Sequence, residues 1–173
     1  MPLLRVCYEY GPKLDGLITH DGKPVPGANL LWTIAGLESG HGAKRDYARY
    51  EAAYGPGGVY YRQTTMRALY SKYGAAAACS WGSWQIMYVC AKEMGFSGPP
   101  WELTDDYAAV VPVVELIYLR IVKLQRAKTL SEVLDSYNSG NFKDRIIPED
   151  YIAKGITFYA QGMPPNGFEP TPA

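Results

Sequence analysis

Apolar residues recur at helical spacing along most of the chain, which predicts a mainly α-helical protein. Residues 1–28 are the exception, because glycines and prolines interrupt them; we expect an irregular N-terminal segment with a short hairpin over 17–23. The first strong helical pattern begins at Asn29, a good N-cap residue. It should end at Gly40, since glycine readily adopts the left-handed conformation that closes a helix.

The middle of the chain alternates between polar loops and helical patterns. Residues 41–61 are rich in tyrosine and glycine, which predicts a loop with at most a short helix. Apolar spacing predicts helices over 62–73 and 83–94. A longer helix is expected over 105–128, kinked or split at Pro112 because proline cannot donate a backbone hydrogen bond.

Two further helices are predicted towards the carboxyl end. Thr129 and Glu132 form a capping box that opens a helix, and Gly140 should close it. A last helix is expected over 148–162, followed by an extended, proline-rich tail over 164–173. No repeat or linker divides the pattern, so we expect all 173 residues to form a single domain.

The composition excludes some classes of partner. Lys+Arg and Asp+Glu both number 17, so net charge gives no general attraction to nucleic acid, and we expect none to bind. No apolar stretch is long enough to span a bilayer, so we expect no stable membrane insertion. The 15 tyrosines and 4 tryptophans, against 4 phenylalanines, suit a half-apolar surface such as a carbohydrate cleft. Tyrosine replacing phenylalanine in the core is the alternative.

The cysteines and histidines do not form a recognisable cofactor or metal motif. Cys7, Cys79 and Cys90 contain no CxxC pair, so we expect buried free thiols. His20 and His41 have no HExxH spacing, and we predict no metal and no cofactor.

Glu38 is the strongest candidate for chemistry. It is the one acidic residue of the apolar segment LLWTIAGLESGHG, and it lies in the last turn of the predicted helix. A carboxyl near a helix C-terminus and beside apolar groups is disfavoured as an anion, so its pKa should rise. A protonated carboxyl is the general acid that glycoside cleavage requires. A solvated residue at a helix end is the alternative.

Two other segments carry polar groups suited to a sugar. Gln85 is a lone amide in CSWGSWQIM, where it must find hydrogen-bond partners in a sugar or in the backbone. Tyr137 and Asn138 stand at a predicted helix end in LDSYNSGNF.

The order ESG, GSWQIM, SYNSG over residues 29–142 resembles the soluble lytic transglycosylase and goose-type lysozyme families. The sequence WGSWQIM, with RYEAAY upstream, is also similar to phage-type N-acetylmuramidases. The resemblance implies a lysozyme-like fold with a catalytic glutamate at the end of a core helix. It also implies cleavage of the β-1,4 bond between N-acetylmuramic acid and N-acetylglucosamine in peptidoglycan.

The same resemblance implies roles for individual residues. Glu38 matches the general acid and base, and Ser39 the serine that helps hold an acetamido group. Gln85 matches a glutamine that lines the cleft. Tyr137 and Asn138 match a pair that contacts the sugar next to the cleaved bond.

The chain also departs from the family pattern. Ser83 and Trp84 replace the usual Leu-Met, and Ser136 replaces the usual Ala. The spacing from Glu38 to the glutamine motif is longer than usual, and the polar stretch 41–80 resembles an insertion that forms a lid or extends the cleft.

The reaction could end in either of two products. The resemblance favours a lytic transglycosylase, whereas a hydrolytic muramidase generally adds a second carboxylate. Asp46, Glu51 and Asp135 are the candidates, and Glu51 is the first choice. A surface ion pair with Arg45 or Arg49 is its alternative role.

Two other functions remain open: a non-catalytic glycan-binding module, or a structural component of a phage or secretion assembly. The start of the chain does not read as a signal peptide. We therefore expect synthesis in the cytoplasm and action on the bacterial cell wall after release or injection.

Overall fold

The computed structural model describes residues 2–141, 143 and 149–165, and over these the protein is mainly helical, as predicted. The α-helices are α1 Pro2–Tyr10, α2 Gly27–Ser39, α3 Thr64–Tyr73, α4 Tyr88–Glu93, α5 Asp106–Glu115, α6 Leu130–Ser139 and α7 Glu149–Gln161. A π-helix, Leu116–Leu124, continues directly from α5. The 3-10 helices are Gly11–Leu14, Ala52–Tyr54, Tyr60–Arg62, Gly74–Ala78 and Pro100–Thr104. The strands are β1 Thr19–His20, β2 Lys23–Pro24, β3 Arg49–Tyr50, β4 Cys79–Trp81 and β5 Ile86–Met87.

The prediction of an irregular segment over 1–28 is wrong for its first half. Pro2 opens α1, as proline suits the first turn of a helix, and a 3-10 helix follows it. The helix is stabilised by burial of one apolar face, formed by Leu3, Leu4, Val6 and Cys7. The predicted hairpin is confirmed, with β1 antiparallel to β2.

Helix α2 lies at the centre of the core. It begins at Gly27, two residues before the predicted N-cap Asn29, and Gly40 closes it in the left-handed conformation as expected. Every residue from Leu30 to Gly36 is buried, so the helix is covered on all sides. Helices α1 and α7 both pack against it, and α6 packs on α7.

The helix predicted over 83–94 is wrong in its first half. Strands β3, β4 and β5 form an antiparallel sheet in that order, and residues 82–85 make the turn between β4 and β5. Gly82 has a φ of 74°, and a side chain there would collide with the carbonyl oxygen of Leu103. The glycine therefore fixes the turn, and the helix starts only at Tyr88.

The expectation for residues 105–128 is partly corrected. Asp105 caps α5 by accepting a hydrogen bond from the backbone N–H of Ala108. The helix continues through the buried Pro112 and changes from α to π geometry after Glu115. It ends at Leu124 rather than at 128.

The carboxyl-terminal helices follow the predicted signals. Thr129 and Glu132 make both hydrogen bonds of the capping box, and Gly140 closes α6 with a φ of 90°. Helix α7 ends before Gly162, whereas its predicted start at Pro148 lies outside the described residues. Of the predicted tail, 164 and 165 have no regular structure and the rest lies outside the described residues.

Helix α7 is fastened to the amino-terminal half of the chain. The side-chain amide of Asn29 donates to the backbone carbonyl of Tyr159 at 3.2 Å. The hydroxyl of Tyr8 donates to the backbone carbonyl of Pro164, just after the helix, at 3.0 Å. Gly155 lies buried against the side chains of Leu37 and Leu134. Within the described part of the chain, none of the helices combines the length and the apolar character needed to cross a bilayer.

Candidate active site

A cavity of about 420 Å³ opens beside the C-terminal end of α2. Its walls come from that helix end, from the segment around β3, from the β4–β5 sheet, from the π-helix and from the end of α6. Five of the predicted residues line it: Glu38, Glu51, Gln85, Tyr137 and Asn138. The fold thus brings residues from three separate motifs to one cavity.

Glu38 is half-buried and is held by one strong hydrogen bond. The hydroxyl of Tyr151 donates to its Oε1 at 2.5 Å. Burial raises the pKa of Glu38, and the negative charge of Glu51 adds to that rise. The hydrogen bond from Tyr151 and the positive charge of Arg49 oppose it without cancelling it. The pKa of Glu38 therefore lies above the ordinary value for glutamate, as its apolar surroundings predicted, and burial is the largest cause.

Tyr151 is a site residue that sequence reasoning missed. It lies in α7, 113 positions after Glu38 along the chain. Burial raises its pKa far above the usual value, and the nearby carboxyl of Glu38 strengthens that effect, so the hydroxyl stays protonated and able to donate. The sequence predicts only the helix that contains Tyr151, and no local motif connects this residue with Glu38.

Ser39 does not line the cavity, and the contact with substrate predicted for it does not fit its position. Its side chain is buried, and its hydroxyl lies 2.7 Å from the carbonyl of Ser83 and 3.0 Å from that of Ala35. The hydroxyl also accepts from the N–H of Gly42 at 2.8 Å. Ser39 therefore fastens the end of α2 to the β4–β5 turn, which positions Glu38 next to it.

Gln85 lines the cavity, yet most of its hydrogen-bonding capacity is used by the protein. Its Nε2 donates to the carbonyls of Tyr47 and Gly82 at 3.1 and 3.0 Å, and its Oε1 accepts from Ser80 at 3.1 Å. Its φ of 46° is unusual for a residue other than glycine. The amide clamps the segment before β3 onto the sheet, which favours the backbone-satisfied alternative weighed above.

Tyr137 and Asn138 have different surroundings. Tyr137 donates to the carbonyl of Trp84 at 2.8 Å, and the Trp84 indole donates to the carbonyl of Leu31 in α2 at 2.9 Å. This chain of bonds fixes α6 relative to the helix that carries Glu38. Asn138 is exposed on the cavity wall, so of the pair it is the one placed to contact a ligand.

The three candidates for a second carboxylate are separated by the fold. Glu51 lines the cavity and forms an ion pair with Arg49 at 2.6 Å, so the pairing weighed as an alternative is present. Asp46 is exposed beside Arg45, and the buried Asp135 accepts from Ser139. Neither is among the residues that line the cavity.

The polar stretch 41–80 contributes an aromatic wall. Tyr54 and Tyr60 stack with ring centroids 4.6 Å apart, and both line the cavity. A second cavity of about 430 Å³ adjoins the first and shares Tyr54, Tyr60, Cys90 and Arg120 with it. The two cavities therefore lie side by side along the π-helix, a helix type often found at functional sites.

Of the histidines and cysteines, only Cys90 lines the cavity that contains Glu38. His41 stacks on Trp32 at 4.1 Å, and burial lowers its pKa. All three cysteines are free thiols, as predicted, although Cys90 is only partly buried; desolvation is the main cause of their raised pKa values. Over the residues that the structure describes, no group of three His, Cys, Asp or Glu side chains could hold a metal ion.

Comparison of the chain with family models, with curated proteins and with solved structures found no match.

Proposed function

We propose that the protein is a peptidoglycan lytic transglycosylase with a lysozyme-like fold, and that Glu38 is its catalytic acid and base. The observation that carries the proposal is the state of Glu38 itself. It is a carboxyl with a raised pKa, held by Tyr151, at the wall of an open cleft. A general acid that works near neutral pH needs such an environment.

The proposed reaction transfers one proton out and one proton back. Protonated Glu38 gives its proton to the glycosidic oxygen while the bond from that oxygen to C1 of muramic acid breaks. The ionised Glu38 then takes the proton of the muramic 6-hydroxyl, whose oxygen forms the new bond to C1. The product ends in a 1,6-anhydro ring, and Glu38 is again protonated.

Two features of the cleft support substrate binding in that reaction. Asn138 offers an exposed amide on the wall, and the Tyr54–Tyr60 stack offers aromatic surface that suits the apolar faces of sugars. The contribution of Ser39, Gln85 and Tyr137 is indirect, because their hydrogen bonds hold in place the segments that form the cavity walls.

Hydrolytic N-acetylmuramidase activity on the same bond is the second candidate function. Glu51 favours it, because this carboxylate lines the cavity with Glu38 and its charge acts on Glu38. Arg49 would orient Glu51 through their ion pair, as a base that activates water must be oriented.

Digestion of purified peptidoglycan, followed by mass spectrometry of the soluble fragments, tests both functions. Wild type should release fragments with 1,6-anhydromuramic ends, and Glu38→Gln should release none. Glu9→Gln, a change of the same kind on the exposed side of α1, should cut like wild type. Reducing muramic ends that disappear in Glu51→Gln would establish the muramidase instead. Fragments released by Glu38→Gln would refute the role of Glu38. If wild type releases no soluble fragments, a glycan-binding module or a structural component of a larger assembly is favoured.

A further inference from the structure

The second cavity differs in chemistry from the first. Its walls include the apolar side chains of Val89, Met94, Leu119 and Leu124. Leu119 and Leu124 project from the π-helix with 47% and 75% of their surface exposed. A ligand with apolar groups would cover these side chains if it bound in this cavity.

One loosely paired cation lies where the two cavities meet. Arg120 lines both of them, and its Nη1 is 3.7 Å from the carboxylate of Glu93, which lines only the second. That distance is too long for a hydrogen bond, in contrast to the 2.6 Å pair of Arg49 and Glu51 in the first cavity. Arg120 is therefore able to bind a ligand carboxylate without first breaking a short ion pair.

We propose that the second cavity binds the peptide stem carried by the muramic acid unit, with Arg120 binding a carboxylate of that stem. This inference rests on the proposed function. A stem peptide branches from the sugar next to the cleaved bond, so it leaves the first cavity sideways rather than along the glycan strand. The stem combines small apolar side chains, which match Leu119 and Leu124, with free carboxylates, which match Arg120. Tyr54, Tyr60 and Gln63 at the shared end would also suit a sugar, whereas the far end of this cavity, with Met94, Leu119 and Leu124, is apolar and suits the side chains of a peptide.

The test compares cleavage of two substrates by one variant. Arg120→Gln should lower kcat/KM on peptide-bearing strands by about tenfold or more, the effect of losing one charge-assisted hydrogen bond. On strands from which an amidase has removed the peptides, the loss should be far smaller, because no stem carboxylate is present to pair with Arg120. Lys123→Gln removes an exposed cation from the same helix outside both cavities and should leave both rates unchanged. Arg120→Lys should recover part of the loss.

A binding measurement separates this inference from the proposed function. In the Glu38→Gln background, N-acetylmuramyl-L-alanyl-D-glutamate should bind, and Arg120→Gln should weaken that binding by about tenfold. Equal losses on both substrates, or peptide binding indifferent to Arg120, would overturn the inference even if wild type cleaves peptidoglycan. If peptide binding depends on Arg120 but wild type does not cleave peptidoglycan, the inference stands and the proposed function is refuted.

Discussion

At the scale of single residues, opposing effects of burial and of neighbouring side chains set the pKa of Glu38. Burial and Glu51 raise it, while Tyr151 and Arg49 lower it. Tyr151 acts in two ways, because its hydrogen bond stabilises the ionised carboxylate and also fixes the direction in which the carboxyl points. A variant that lacks only the hydroxyl distinguishes this hydrogen-bonding role from a role in packing alone.

Tyr151→Phe should raise the pKa of Glu38 further, because a hydrogen bond to the anion is lost. The fall in rate at high pH, where a general acid loses its proton, should therefore move to higher pH. The maximal rate should also drop by about tenfold or more, since the carboxyl is less well oriented. A pH profile of kcat/KM measures both effects. Tyr159→Phe, on the same helix but without a bond to Glu38, is the control. A lower rate with an unmoved profile would mean that Tyr151 is only structural.

At the scale of elements, the position of α7 decides whether Tyr151 reaches Glu38. The close approach of α7 depends on Gly155, where a β-carbon would lie 2.6 Å from a methyl group of Leu134 and 3.0 Å from one of Leu37. Those methyls are ends of flexible side chains, so a small group could be accommodated, whereas a branched one would push the helices apart.

Gly155→Val should therefore lower the free energy of unfolding by about 1–3 kcal/mol, the usual cost of overpacking a core. It should also reduce cleavage, because displacement of α7 lengthens the Tyr151–Glu38 hydrogen bond. Denaturant unfolding and the peptidoglycan assay measure the two effects. Ala153→Val places the same side chain on the exposed face of α7 and should change both far less. Equal stabilities of the two variants would contradict the tight packing at Gly155.

Local chemistry decided which elements could be predicted from the sequence. Gly40, Gly140 and the capping box of Thr129 and Glu132 marked helix ends correctly, because each acts on its own neighbours. The β4–β5 sheet was missed, since the apolar residues of 83–94 fit a helical period and the deciding contact, Gly82 against Leu103, is distant in sequence.

The same distinction applies to the candidate site. The motifs predicted five residues that line one cavity, but not which of them face a ligand. The sequence leaves open whether the amide of Gln85 binds a sugar or the protein itself, and only the fold shows that Tyr47, Gly82 and Ser80 are its partners. Tyr151 reaches Glu38, and Arg120 reaches the cavity wall, through packing between distant segments, for which a single sequence contains no signal.

At the scale of the whole molecule, the raised pKa of Glu38 makes stability depend on pH. A carboxyl whose pKa is higher in the folded state favours folding when protonated. That contribution is complete below the ordinary value of 4.5 and is lost as the pH rises through the raised value. Asp106 has the same sign, because burial raises its pKa as well.

Glu38→Gln should thus have a higher melting temperature than wild type near pH 7 and a similar one near pH 4, since glutamine cannot ionise. Asp106 is present in both proteins and cancels from the comparison. Calorimetry at the two pH values, with Glu9→Gln as the control for loss of one charge, measures the difference. A variant that is less stable than wild type near pH 7 would show that ionised Glu38 stabilises the fold, contrary to its raised pKa.

The 113 positions between Glu38 and Tyr151 also set an order in time. At ribosomal rates of ~5–20 residues per second, Tyr151 is added roughly 6 to 23 s after Glu38. During that interval the nascent chain carries the carboxyl without the hydroxyl that orients it. If the proposed function is correct, full activity has to wait until α7 has left the ribosome and docked on α2, so this helix sets the moment at which a new molecule becomes active.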